Sequence, residues 1–232
     1  MTAHIQTVSA FRQQIAQQRA AQWFDATTFI IWFLALVPAT FLILGAAFQP
    51  WIDPADLFRD PLAVAELKGA ACCKVYDGAI SSLGIIGWMT PAAISLFAAG
   101  VLLSSAQKPQ GSVLFFIYAG LFTAFLGSDD LFLVHENVLP AFGVPELATY
   151  GAYALIGIGY LATSWRLILT HRFVLFGGAI ALLATSVLID RLLHSDNVWR
   201  LIIEDGAKFV GISMWMAFHI DAAWNTLIRS KA

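Results

Sequence analysis

Three short stretches carry most of the side chains able to do chemistry. Asp129, Asp130, His135 and Glu136 form the first, Asp190, Arg191 and His194 the second, and Glu204, Asp205 and Lys208 the third. Histidine mixed with carboxylates from several helices is the ligand set of divalent metal centres in bundles. Asp130, His135, Glu136, Asp190 and His194 would give zinc, iron or manganese a mixed nitrogen and oxygen shell. Such an ion would acidify a bound water and offset two negative charges. Asp130, Glu136, Glu204, Asp205 and Lys208 are the groups placed to act as acids, bases or contacts to a polar headgroup. The same carboxylates would also serve as a titrating relay for protons or cations. No spacing matches a strict motif such as His-Glu-x-x-His.

Helical spacing groups these residues further. Asp129 and Glu136 are seven apart and share a face of a continuous helix, as Asp130 and Asn137 share another. Asp190 and His194 share a face four apart. Glu204 precedes Lys208 by four, the favourable order for an ion pair. Lys208 is therefore expected as the counter-ion of Glu204 or Asp205.

The elements that must position these groups follow from composition. Of 232 residues, 59% are hydrophobic, 12% are charged, and the formal charge is −2. Soluble domains run near 45–50% apolar and about 25% charged. The balance excludes a soluble enzyme and a disordered chain. It also excludes nucleic-acid binding, which needs a basic surface. What remains is an all-α, polytopic integral membrane helix bundle. Six spans are expected, near 27–47, 80–105, 112–137, 147–165, 173–193 and 201–222, in one domain over 26–232. Pro91 should kink the second span.

Three of these spans have short charge-free cores. Ser112 to Ser128, Phe173 to Ile189 and Phe209 to Ile220 reach roughly 26, 26 and 18 Å at about 1.5 Å per residue. To cross, each helix must extend through its charged neighbours. That puts Asp129 and Asp130, then Asp190, then Glu204, Asp205 and Lys208 at one depth near the hydrocarbon boundary. Against Arg191 and Lys208, the six carboxylates of the three stretches leave four uncompensated negatives. Each charge costs about 2.5–3.5 kcal/mol on insertion scales, so protons, a metal or water must offset them.

The distribution of Lys and Arg favours cytoplasmic termini in a bacterial-type inner or plasma membrane. The charged helix ends then meet on the extracytoplasmic side. Ile5, Val8, Phe11 and Ile15 mark an amphipathic interfacial helix over 1–25, or a helix packed on a partner subunit. An extracytoplasmic loop over 48–79 contains the only cysteines, Cys72 and Cys73. Adjacent cysteines pair badly with each other, so inter-subunit pairing, a reduced state and metal binding are the alternatives. His171 and His219 are expected at the interface, and Trp88, Trp165, Trp199 and Trp224 in interfacial belts.

Glu204-Asp-Gly-Ala-Lys208-Phe-Val-Gly is similar, over a handful of residues, to the acid-x-x-x-Lys of the last helix of microbial rhodopsins. The chain departs from that family in its six spans and its lack of a preceding aromatic retinal box. In site chemistry it resembles membrane hydrolases of the alkaline-ceramidase type, which hold a metal with histidines and an aspartate near one membrane face. It departs there too, with one helix fewer and no His-x-x-x-His in the last helix. These residues identify no family. Three functional readings stand. One is a metal-dependent enzyme acting on a lipid or another amphiphile. The second is a proton- or cation-coupled transporter. The third is a non-catalytic subunit of a larger membrane complex. Membrane lipids are the expected partners, and a homo-oligomer stays open.

Overall fold

The computed structural model describes residues 26–193 and 197–230. The expected interfacial helix over 1–25 and the site residue His194 lie outside the described residues. The described residues are helical, with no strand among them. We number the helices α1 (Ala26–Phe48), α2 (Pro54–Phe58), α3 (Pro61–Lys68), α4 (Ala79–Ser104), α5 (Ser112–Phe132), α6 (Leu139–Ala141), α7 (Glu146–Thr170), α8 (Phe173–Leu192) and α9 (Val198–Arg229). Five of them, α1, α4, α5, α7 and α8, are long and apolar enough to cross a membrane. The outward faces agree: Phe29, Phe33 and Phe41 on α1 and Leu155 and Ile158 on α7 are exposed. In water such a surface would be a large apolar patch, whereas in lipid it is solvated.

The longest helix, α9, is the central one. It packs against α8, α4 and α1 and touches α5 and α2. Its buried residues Ile212, Trp215, His219, Ala222 and Thr226 recur every three or four positions, the stripe of a helix facing a core. Around that stripe, Trp88, Phe115, Tyr160, Phe176 and Phe218 form an aromatic core. Trp88 is 4% exposed and belongs to this core rather than to an interfacial belt, whereas Trp165, Trp199 and Trp224 are exposed.

Helices α4 and α5 approach closely because α5 has glycine where they touch. A Cβ on Gly120 would lie 2.6 Å from Leu96 Cγ, and one on Gly127 would lie 2.8 Å from Trp88 Cβ. Small residues at membrane helix crossings permit this approach. The close seam sets Trp88 against the end of α5, where the acids lie.

The helix expected over 112–137 stops early. Leu133 takes left-handed backbone at φ 48°, and a π-helical turn follows over Val134–Val138. This conformation is uncommon for a leucine. The break ends the helical phase relation between Asp129 and Glu136, so the expected shared face does not form. Instead His135, in the turn after the break, bonds to Asp129 at the end of α5.

The segment between α1 and α4 folds into α2, α3 and a 3-10 turn (Gly69–Ala71). Lys68 bridges Asp56 at 2.7 Å and Asp77 at 3.2 Å, which ties this segment together. Cys72 and Cys73 are joined to each other in a disulfide. This pairing differs from the expectation that adjacent cysteines pair badly with each other.

Candidate functional site

The start of α4, the end of α5 and the first third of α9 meet at the loop end of the bundle. There Lys208 on α9 projects toward α5. Its Nζ lies 2.8 Å from Asp130 Oδ1. Trp88 Nε1 donates to the other oxygen, Asp130 Oδ2, at 2.9 Å. Lys208 is thus the counter-ion of Asp130, not of Glu204 or Asp205. A lysine four residues from a glutamate is free to swing across the interface when a more buried carboxylate waits there, and Asp130 is more buried than Glu204.

Beside this pair is a cavity of about 20 Å³, room for one water-sized guest. Asp60, Ser81, Asp130, Asp205 and Lys208 supply its polar lining, and Ile80, Phe209 and Ile212 its apolar wall. Asp60 stands just before α3 but its side chain does not cap that helix, accepting a hydrogen bond from the Ser81 hydroxyl instead. Burial pushes the Asp60 carboxyl above its ordinary range, against the opposing pull of Ser81 and the Lys208 ammonium. Asp205 has no hydrogen bond or ion pair among the described residues, and its carboxyl faces the cavity. Three carboxylates therefore share one ammonium.

A second group lies at the break after α5. Asp129 accepts the His135 backbone N–H at 2.9 Å and the Tyr153 hydroxyl at 2.7 Å, both on Oδ1. Its Oδ2 meets His135 Nδ1 at 2.5 Å. His135 Nε2 lies 3.4 Å from Glu136. Burial opposes the charged imidazolium, but the Asp129 and Glu136 carboxylates overcome it and raise the His135 pKa to about 10. The same contact from His135 holds Glu136 below its ordinary range despite burial.

The third group is a chain of ion pairs. Arg200 Nη2 reaches Asp190 at 2.8 Å and Glu204 at 3.1 Å. Arg191 pairs with Glu146 at 2.5 Å, lies 3.6 Å from Asp190, and stacks over Tyr150 at 4.7 Å. Of the expected site residues, Asp130, Asp205 and Lys208 come together. Asp190 and Glu204 meet on Arg200, and His135 and Glu136 meet beside Asp129. Asp130, His135, Glu136 and Asp190 belong to three different groups.

Sequence reasoning missed Arg200 as a bridge, and missed Asp60, Ser81, Trp88 and Tyr153. Arg200 was legible: it stands four residues before Glu204. Asp60 and Ser81 were not, because a folded loop delivers Asp60 from outside the spans.

Buried polar groups continue along α9. Trp215 Nε1 donates to Thr123 at 3.0 Å. His219 is fully buried, with Nδ1 at 2.8 Å from Trp215 O and Nε2 at 3.1 Å from the Tyr160 hydroxyl. It is a core residue rather than an interfacial one, since the α9 stripe carries it inward. At the far end Arg172 pairs with Asp221 and bonds Thr28 at 2.7 Å.

In the loop, Cys72, Cys73 and Asp77 place ligand atoms within 4.8 Å of one another, the one such group of three among the described residues.

A family model described as a domain of unknown function (DUF8692) matches residues 29–222. The chain belongs to that family. No curated protein and no solved structure matches it.

Proposed function

We propose that this is an integral membrane protein that binds a proton or a small monovalent cation in the cavity between α4, α5 and α9, as one station of a coupled transport cycle. The observation that carries the reading is the lining of that cavity: Asp60, Asp130 and Asp205 against the single cation Lys208. In a poorly hydrated site the two unmatched carboxylates need positive charge. A cavity of this size admits a proton, a hydronium or one desolvated ion, and no lipid headgroup. Asp205 is the group free to receive it, and Lys208 pairs with Asp130 beside it.

The topology that goes with this reading has six spans and both termini in the cytoplasm of a bacterial-type membrane. Helix α9, at 32 residues, is about 48 Å long, and its central packing supports it as the sixth span. The cavity then opens toward the extracytoplasmic face. The polar groups below it support a path: Thr123, Tyr160 and His219 in the core, then Asp221 and Arg172. Membrane lipids cover the exposed apolar faces of α1 and α7.

Flux assays in proteoliposomes test the reading. Proton, sodium and potassium gradients are applied in turn to wild type and Asp205→Asn. The expected result is flux of one ion that Asp205→Asn abolishes. No flux with any of the three in folded protein overturns it.

One observation favours a second reading. His135 is oriented by Asp129 and lies 5.4 Å from Tyr150, which Arg191 joins to Asp190. Asp130, His135, Glu136, Asp190 and His194 would then form the metal centre of a hydrolase acting on an amphiphile. That centre requires Asp190 to leave Arg200 and His135 to leave its carboxylates, which makes it the weaker reading. Stoichiometric zinc, iron or manganese in purified protein, lost in His194→Ala, would establish it.

A further inference from the structure

The loop cysteines have no part in the cavity, yet they sit beside a buried carboxylate. Cys73 is exposed and Cys72 half-buried, so a small reductant can reach their disulfide. Asp77 is buried, with Oδ2 held by the Lys74 N–H at 2.8 Å and Oδ1 by Lys68 at 3.2 Å. Both sulfurs and a carboxylate oxygen lie within 4.8 Å of one another. Ligands about 2.3 Å from a tetrahedral ion stand about 3.8 Å apart, so the two sulfurs, bonded to each other here, must separate on reduction to take one ion together with Asp77.

We propose that Cys72, Cys73 and Asp77 form a binding site for a thiophilic divalent ion, closed while the cysteines are oxidised and opened by reduction. A disulfide sulfur is a poor ligand, whereas a thiolate is a strong one. A dithiol reductant gives two electrons and two protons to the Cys72–Cys73 bond and becomes a disulfide itself. The two thiols then release two protons as they take zinc or cadmium. Asp77 gives the third bond and water the fourth. Soft thiolates select these ions over calcium or magnesium. Lys68 keeps its 2.7 Å pair with Asp56 when Asp77 turns to the metal, so no ammonium is stranded.

The test uses the full chain in detergent micelles with cadmium as the probe. The cadmium–thiolate ultraviolet band is followed before and after tris(2-carboxyethyl)phosphine. The expected result is one cadmium per chain after reduction, none before it, and release on reoxidation. Cys73→Ser removes the band. Asp77→Asn weakens binding by about tenfold or more, since even outer-sphere partners are worth that much. Binding by the oxidised chain, no binding by the reduced chain, or an unchanged band in Cys73→Ser overturns the proposal. Asp205→Asn should bind cadmium normally, which separates this site from the cavity.

Discussion

Lys208 and Asp130 join α9 to α5 through a 2.8 Å ion pair at the wall of the acidic cavity, although two carboxylates stand nearer to Lys208 in sequence. The pair fixes which carboxylate is spent on protein and which is left for a guest. Asp130→Asn leaves the ammonium unpaired. Removing one partner of a fully buried pair costs about 3–5 kcal/mol. Lys208 is about one-third exposed, so a loss of about 2 kcal/mol is expected, read as a lower melting temperature in detergent. The double variant Asp130→Asn with Lys208→Met should regain most of that stability and still fail to transport.

The glycines of α5 make a steric prediction. Gly127→Ala drives a methyl against Trp88 Cβ, and Gly120→Ala drives one against Leu96 and the Ala92 carbonyl. Overpacking of this kind costs about 1–3 kcal/mol. Both variants should melt lower. Only Gly127→Ala should also impair flux, because it shifts the indole that donates to Asp130.

How far the sequence led is clearest at α5. Hydrophobic run lengths located its charged end, and the convergence of Asp130, Asp205 and Lys208 follows from run length and bilayer thickness alone. The partners of those groups were not legible. Helix periodicity assumes unbroken helix, and the left-handed Leu133 breaks the phase between Asp129 and Glu136. Asp60 arrives from a loop whose path no periodicity encodes. His219 looked interfacial by its distance from the charged band, but its spacing from Trp215 and Ile212 already marked it as core.

The break after α5 has a pH signature. His135 binds its proton more tightly folded than unfolded, with its pKa raised from 6.5 to about 10. Its stabilisation is therefore complete below 6.5 and is lost as pH rises through about 10. The loss is on the order of a few kcal/mol. Melting temperature measured across this window should fall in wild type. The fall should be largely absent in His135→Gln, which keeps hydrogen bonding without the charge.

The core histidine provides a separate test of the path. Tyr160→Phe removes the hydroxyl 3.1 Å from His219 Nε2 and leaves that nitrogen unpaired in an aromatic box. An unsatisfied buried polar group costs about 1–3 kcal/mol. The variant should fold with a lower melting temperature and bind the cation with unchanged affinity. It should move the cation more slowly, as measured by flux at saturating gradient.

The most direct measurement is ion-driven flux through Asp205→Asn and Asp205→Glu beside wild type, in vesicles holding equal amounts of folded protein. A cavity that binds its guest at Asp205 predicts flux in wild type, none in Asp205→Asn and partial recovery in Asp205→Glu. Equal flux in wild type and Asp205→Asn would contradict the account, as would its absence from wild type under proton, sodium and potassium gradients alike.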